Sequence, residues 1–124
     1  MKKSGILNAE LAQVVAALGH GDLLVIGDAG LPVPLGVRCI DLAVTLGVPG
    51  FLDVLDTVLS EMCVETAFRA SEAAEIGAQM DARLTCTPMT HAAFKELSTQ
   101  AVAVVRTGET TPYANVALRA GVAF

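Results

Sequence analysis

The chain has 124 residues and a mass of 12.8 kDa, which is the size of a single domain. Thirteen acidic residues outnumber eight basic ones, and 53% of the residues are hydrophobic whereas only 17% are charged. Because few charges are available to cover the surface, we expect part of that surface to be buried in a homo-oligomer.

Composition also excludes several classes of protein. Charge-free stretches such as Leu42–Leu52 are much shorter than the roughly 20 residues that a membrane helix needs, so no membrane partner is expected. The acidic balance and the lack of a basic run argue against nucleic acid as a partner. Lys2 and Lys3 resemble the start of a signal peptide, but Glu10 interrupts the apolar stretch that would have to follow.

Cysteine and histidine usage points to a cytoplasmic protein without a metal site. Cys39, Cys63 and Cys86 are odd in number and form no C-x-x-C pair, which is typical of reduced thiols in the cytoplasm. His20 and His91 are the only histidines and lie far apart in the sequence, so no zinc site is predicted.

The first half of the chain predicts alternating helices and strands. Asn8 can cap a helix whose apolar face repeats at helical spacing from Leu11 to Leu18, and Gly19 suits the position after its end. A buried strand at Leu23–Ile26 and a loop rich in glycine and proline at 27–36 follow. Arg38–Leu42 is a predicted strand. Pro49 suits the first turn of a helix running to about Leu59.

The second half continues the alternation. Met62–Phe68 and Arg83–Thr87 are predicted strands on either side of an Ala/Glu-rich helix at Ser71–Met80. Thr90 can cap a helix that carries Phe94 and Leu97, and a buried strand is expected at Ala101–Val105. Asn115–Leu118 and Gly121–Phe124 are predicted closing strands. The alternation predicts the α/β class: a single layered domain over residues 1–124 with a central mixed β-sheet flanked by helices.

Two residues beside the first strand are candidates for chemistry. His20 stands between glycines after the first helix, where a histidine can reach a cleft and transfer protons near neutral pH, or can cap the helix end. Asp28 follows the buried strand, at the carboxyl end where α/β sheets bind ligands. It can bind sugar hydroxyls or orient a histidine there, or bond to its own backbone in an Asx-turn.

Three further candidates lie near the C-terminus. His91 falls in the first turn of the Thr90 helix, where it can accept a hydrogen bond as a neutral imidazole or simply be solvated. Tyr113 and Asn115 offer an aromatic face and a planar amide to a sugar, or they form a turn at the edge of the core. Glu109 is predicted to be a surface turn acid. Since the chain has no P-loop and no nucleophile elbow, this set suits proton transfer on a small polyol.

An ordered set of short motifs resembles the D-ribose pyranases, also called ribose mutarotases, over nearly the whole chain. The motifs are Gly19-His20-Gly21-Asp22, Asp28-Ala29-Gly30-Leu31-Pro32-Val33-Pro34, Ile40-Asp41-Leu42-Ala43, Gly47-Val48-Pro49-Gly50-Phe51, Glu61-Met62-Cys63-Val64-Glu65, His91-Ala92-Ala93-Phe94-Lys95, Arg106–Asn115 and Ala120–Phe124. The related fucose mutarotases share the Gly-His-Gly-Asp and Tyr-Ala-Asn features. The segment beginning at Asp28 is more similar to the ribose branch. The segment between about residues 70 and 83 contains fewer residues than is usual in the family.

The resemblance implies a cofactor-free isomerase of carbohydrate metabolism and ribose catabolism that interconverts the pyranose and furanose forms of D-ribose. It places the proton donor at His20 and the substrate-binding positions at Asp28, His91, Tyr113, Ala114 and Asn115. It also implies a cytoplasmic homodecamer built from two pentamer rings.

Three alternatives remain open at this stage: an L-fucose-type mutarotase, a non-catalytic sugar-binding subunit associated with ribose uptake, and a purely structural ring protein. His20 precedes the Leu23–Ile26 strand and Asp28 follows it, so the two side chains of one chain are too far apart to touch one sugar. If both serve one site, that site is expected to be shared between neighbouring subunits.

Overall fold

A computed structural model describes all residues from Met1 to Phe124. The chain forms four helices and six strands. In chain order these are α1 (Ala9–Ala17), β1 (Leu23–Gly27), β2 (Arg38–Asp41), α2 (Phe51–Leu59), β3 (Val64–Ala70), α3 (Glu75–Asp81), β4 (Cys86–Met89), α4 (His91–Ser98), β5 (Ala103–Arg106) and β6 (Val116–Ala120). None of the four helices combines the length and the apolar character that a membrane span requires.

The six strands form one mixed sheet in the order β2-β5-β1-β6-β3-β4. β1 pairs in parallel with β5, and β5 with β2, on one side of the sheet. β6 is antiparallel to both β1 and β3, and β3 is parallel to β4. Five strands therefore run in one direction. Their carboxyl ends and the start of β6 lie along one edge of the sheet, which we call the carboxyl edge.

The core lies on both faces of the sheet, so the domain has three layers. Leu24 and Ile26 of β1 join a large apolar cluster with residues of α1, α2 and α3. Leu23 and Val25 point to the opposite face and join a smaller cluster with Phe94 of α4. Strand β1 is buried along its whole length, as its continuous apolar sequence predicts. The predicted fold class is confirmed.

Helix boundaries differ from the prediction at two positions. Pro49 lies before the helix and not in its first turn: its carbonyl accepts the N–H of Gly108 at 2.9 Å, and Gly50 is the N-cap. The third helix begins at Glu75 and not at Ser71, because Ser71 donates its N–H to Met89 of β4 and thereby continues the strand pairing. The predicted caps Asn8 and Thr90 are confirmed, each accepting a backbone N–H three residues further on.

One predicted strand is wrong. Residues Gly121–Phe124 form no strand, and Val122–Phe124 are exposed. β6 pairs with β1 on one side and with β3 on the other, but β3 begins at Val64, so the last backbone contact made by the tail is the N–H of Gly121 to Cys63. Beyond this point the tail has no neighbouring strand with which to pair.

Candidate functional site at the carboxyl edge

The carboxyl edge brings together candidates that are distant in sequence. Asp28 follows β1, His91 follows β4 after one residue, and Tyr113 to Asn115 precede β6. Since β6 is antiparallel, its start lies beside the end of β1, with Val116 opposite Ile26. The only strand of opposite direction therefore places the Tyr113 segment next to Asp28.

A cavity of about 750 Å³ opens at this edge, and we call it the carboxyl-edge cavity. It is lined by Asp28, Ala29, Gly30, Leu31, Pro32, Leu46, His91, Lys95, Arg106, Glu109, Thr110, Thr111, Pro112 and Tyr113. Eight of these fourteen residues carry a charged or hydrogen-bonding side chain, and such groups on a partly apolar wall can fix the orientation of a hydroxyl-rich ligand.

Asn115 anchors Asp28 at the floor of this region. The side chain of Asn115 is fully buried, and its Oδ1 accepts the N–H of Asp28 at 2.9 Å. Its Nδ2 is buried without a hydrogen-bond partner in the chain. A Cβ at Gly27 would lie 3.0 Å from Asn115 Oδ1, so the glycine leaves the space that the amide occupies. The carboxylate of Asp28 accepts the N–H of Gly30 at 2.9 Å, so the Asx-turn forms while Asp28 also lines the cavity.

His91 is the first residue of α4, as predicted. Its ring stacks on Phe94 with centroids 6.5 Å apart, and the ring of Tyr113 lies edge-on at 5.1 Å. Its Nδ1 is buried without a hydrogen-bond partner in the chain. The backbone N–H of His91 donates to both oxygens of Glu72 at 2.9 and 3.0 Å, and this bond holds the pKa of Glu72 below its ordinary value. The residue is therefore fixed on three sides and is not a freely solvated side chain.

Tyr113 adopts a left-handed backbone conformation with φ 63°, the only residue other than glycine with a positive φ. The residue is 36% exposed and lines the cavity, so its ring does not fill the core edge. The next residue, Ala114, is fully buried in the large apolar cluster. Ala114 can offer the site only its backbone.

Glu109 is more than the surface acid predicted from sequence. Its carboxylate accepts the N–H of Phe51 at 3.0 Å, which caps α2, and it also accepts the N–H and the hydroxyl of Thr111. The bond from Phe51 is the largest cause that holds the pKa of Glu109 below its ordinary value. Glu109 thus joins α2 to the segment that leads to Tyr113.

Lys95 and Arg106 also line the cavity, and sequence reasoning did not single them out. Lys95 follows His91 by one helical turn, a spacing that could have revealed it. The guanidinium of Arg106 donates to the carbonyl of Ala29 at 3.0 Å and to Asp41 at 2.9 Å. No cluster of three or more His, Cys, Asp or Glu side chains that could hold a metal ion occurs in the chain.

His20 does not join the other candidates. It precedes β1, whereas Asp28 follows it, and the five residues of that strand separate the two by roughly 16 Å. Its ring does not cap α1. The side chain is 60% exposed, and its Nε2 lies 3.1 Å from Oε1 of Glu65 on β3. One chain therefore carries His20 on one edge of the sheet and the carboxyl-edge cavity on the other.

The fold is an α/β domain with an open cavity at the carboxyl edge of its mixed sheet. The sequence profile of the RbsD / FucU transport protein family matches residues 1–123, and the chain belongs to that family.

Individual relatives indicate the branch of the family. The chain is 56% identical to a D-ribose pyranase of Symbiobacterium thermophilum and 55% identical to one of Variovorax paradoxus, with both chains fully covered in each case. Among solved structures it is similar to Bacillus subtilis RbsD complexed with D-ribose, with 46% identity, a TM-score of 0.94 and full coverage of both chains. A fucose mutarotase from Streptococcus pneumoniae, solved with L-fucose, is more distant at 26% identity, with a TM-score of 0.84 and full coverage.

Proposed function

We propose that this protein is a D-ribose pyranase, an isomerase that interconverts the pyranose and furanose forms of D-ribose. The observation that carries the proposal is the carboxyl-edge cavity in a chain that matches D-ribose pyranases over its full length. The Bacillus subtilis relative was solved with D-ribose, and its fold superposes on this chain with a TM-score of 0.94.

The catalyst of this reaction has to supply only proton transfers. A ring sugar is a hemiacetal, and a change of ring size requires opening to the aldehyde and closure through another hydroxyl. Opening needs one proton given to the ring oxygen and one removed from the anomeric hydroxyl. Positioned acid–base groups accelerate such steps by about 10²- to 10⁴-fold.

Polar groups around the cavity suit the hydroxyls of a pentose. The carboxylate of Asp28 accepts from sugar hydroxyls, and the Nδ2 of Asn115 donates to one. The buried Nδ1 of His91 and this Nδ2 have no partner within the chain, and buried polar groups normally have one. A sugar hydroxyl at each position satisfies both. The exposed ring of Tyr113 lies against the sugar, and Ala114 contributes its backbone.

His20 is the proton donor, and it reaches the sugar from a neighbouring subunit. The separation of His20 from the cavity within one chain supports this arrangement, because β1 lies between them. Two pentamer rings forming a homodecamer are the assembly we propose. Exposed apolar side chains, among them Leu7, Val44 and Leu46, are available for the contacts between subunits.

A cytoplasmic location is part of the proposal. All three cysteines are free, and burial raises the pKa of Cys86 to about 11, so this thiol stays protonated. Free thiols are typical of a reducing compartment.

Saturation-transfer NMR across a panel of sugars tests the function. We expect the protein to accelerate exchange between the ring forms of D-ribose and to act less well on L-fucose. Exchange that is faster for L-fucose would favour a fucose-type mutarotase. Binding without exchange would indicate a sugar-binding subunit, and neither binding nor exchange would leave a structural role.

His20→Ala tests the proton donor. We expect this variant to lose ribose exchange while keeping its fold and assembly, because the His20 side chain is largely exposed and packs in neither apolar cluster. Retention of most of the exchange rate by a folded His20→Ala protein would contradict the assignment.

A further inference from the structure

The ring of His20 makes one polar contact in the chain, and it is with Glu65. The backbone around His20 is fixed independently: the N–H of Gly19 donates to Asp22 at 2.8 Å, and the N–H of Gly21 donates to Ala120 at 2.9 Å. The imidazole itself is held only through Nε2, 3.1 Å from Oε1 of Glu65. Glu65 is 45 residues away in sequence, so the contact depends on the fold.

An irregularity in β3 directs Glu65 toward this position. Val64 pairs with Ala120 and Thr66 with Arg119, so two steps along β3 match one step along β6 and Glu65 has no partner residue. Such a β-bulge re-aims the side chain of the extra residue, and bulges are frequent beside functional sites. The bulge places the Glu65 carboxylate beside His20, which lies between α1 and β1 at the edge of the sheet opposite the carboxyl edge.

Gly121 leaves the space that the bulge needs. A Cβ at Gly121 would lie 3.1 Å from Cβ of Glu65 and 3.4 Å from its backbone nitrogen. A side chain at this position would therefore push against the bulged residue. The hydrogen bond, the bulge and the close approach of Gly121 are three separate observations, and all concern the same residue.

We propose that Glu65 is the positioning residue for His20: it binds the Nε2–H of the imidazole and leaves Nδ1 as the nitrogen that exchanges protons with the sugar. This inference rests on the proposed function, because it requires His20 to be the proton donor. A carboxylate that accepts from one ring nitrogen fixes both the tautomer and the direction of the other nitrogen.

Nδ1 of His20 alone can donate the proton in ring opening and take one back in ring closure. In ring opening, Nδ1 gives its proton to the ring oxygen as the bond from C1 to that oxygen breaks, and the anomeric hydroxyl releases its proton to water. In ring closure, another hydroxyl attacks C1 and gives its proton to Nδ1, while the aldehyde oxygen takes a proton from water. The other proton stays on Nε2, hydrogen-bonded to Glu65, throughout. The carboxylate of Glu65 stabilises the imidazolium before each proton donation.

Two substitutions of Glu65 separate its effects. Glu65→Gln keeps an oxygen that accepts from Nε2–H but removes the charge, whereas Glu65→Ala removes both. We expect ribose exchange to fall about tenfold in Glu65→Ala, a part of what a complete acid–base group contributes, and to fall less in Glu65→Gln. Ribose affinity is expected to stay nearly unchanged in both variants, because Glu65 contacts Nε2 of His20 and the proposal places the sugar at Nδ1. Glu75→Gln, which alters an exposed carboxylate of α3, is the matched control and should exchange at the wild-type rate.

Nitrogen-15 NMR of the histidine rings gives a readout that a merely structural residue would not change. Neutral His20 should carry its proton on Nε2 in the wild type and in Glu65→Gln, and should show mixed tautomers in Glu65→Ala. A wild-type exchange rate in Glu65→Ala, or a wild-type His20 protonated on Nδ1 when neutral, would overturn the proposal. Absence of exchange in the wild-type protein would instead refute the proposed function, and the tautomer measurement would then still decide whether Glu65 holds the ring.

Discussion

Tyr113 combines an unfavourable backbone with an exposed ring. Its φ of 63° lies in the left-handed region, which costs a residue with a Cβ roughly 1–2 kcal/mol. The ring packs edge-on against His91 and lines the cavity, while Ala114 beside it is buried. Strain of this kind persists where the surrounding structure imposes it, and it concentrates at ligand sites.

Two substitutions of Tyr113 distinguish its role in binding from its role in stability. Tyr113→Ala removes the ring and keeps the strain, whereas Tyr113→Gly removes both. We expect both variants to bind ribose at least tenfold more weakly, measured by calorimetry. Tyr113→Gly should be the more stable of the two in urea unfolding, by up to about 1 kcal/mol. Ribose affinity equal to the wild type in either variant would show that the ring does not contact the sugar.

Single residues could be placed from the sequence where the residues next to them in the chain form a recognisable pattern. Asp28 after a buried strand and His91 in a capped first turn were predicted from local patterns, and the structure confirms both positions. Glu109 was predicted to be only a surface turn acid and Glu65 was given no role, because their contacts are with Phe51 and His20, at separations of 58 and 45 residues. No local pattern distinguishes such carboxylates from ordinary surface acids.

Helix α2 begins without a side-chain cap of its own. Its N-cap is Gly50, and the carboxylate of Glu109 supplies the missing acceptor by binding the N–H of Phe51. A carboxylate at a helix N-terminus also interacts favourably with the helix dipole. One side chain thus stabilises the start of α2 and the loop at Thr111.

This cap makes part of the stability dependent on pH. The pKa of Glu109 is lowered in the folded chain, so its contribution is present above the pKa of the unfolded state and is lost as pH falls through the folded value. We expect Glu109→Gln to be less stable than the wild type at pH 7 by about 0.5–1 kcal/mol, since the amide still accepts a hydrogen bond but lacks the charge.

The difference between the two proteins should shrink as pH falls below the ordinary glutamate pKa and through the lower folded pKa, where Glu109 becomes protonated. Urea unfolding at several pH values measures it. Glu96→Gln is the control, because this exposed side chain makes no hydrogen bond in the chain. A stability difference that is independent of pH would show that the charge of Glu109 does not matter for the cap.

Helices and strands could be predicted where a local sequence pattern was enough to locate them. Apolar spacing and the caps Asn8 and Thr90 located α1 and α4, and a continuous apolar run located β1. The tail after Gly121 resembles a strand in composition, but a strand also needs a neighbouring strand. β3, which pairs with β6, begins at Val64 opposite Ala120, so no residue of β3 lies opposite the tail. The antiparallel direction of β6, which assembles the carboxyl-edge cavity, had no signal in the sequence.

At the scale of the whole molecule, the proposed site needs side chains from two chains, so the proposal requires assembly. Exposed apolar residues such as Leu35, Val44 and Phe124 agree with the low proportion of charged residues. We expect light scattering at micromolar concentration to report a mass several times 12.8 kDa. A monomer under these conditions would contradict both the assembly and the shared site.

Subunit mixing tests the shared site directly. His20→Ala and Asp28→Ala are each expected to be inactive alone. After subunit exchange, some interfaces bring an intact His20 to an intact Asp28, so part of the ribose exchange activity should return. Exchange of subunits can be verified by mass spectrometry of isotope-labelled chains. No recovery after verified exchange would show that each site draws on one chain only.

If His20 and Asp28, on opposite edges of one sheet, serve one site as we propose, the activity of the protein depends on its own abundance. A site formed between two chains exists only while they are associated, so turnover per chain falls when the protein is diluted below the concentration at which the ring dissociates. A cell that makes little of this protein would then have almost no activity, and synthesis past a threshold would produce it steeply. Specific activity in a dilution series should show that threshold, and sugar binding across the interface should lower it by holding the neighbouring chains together.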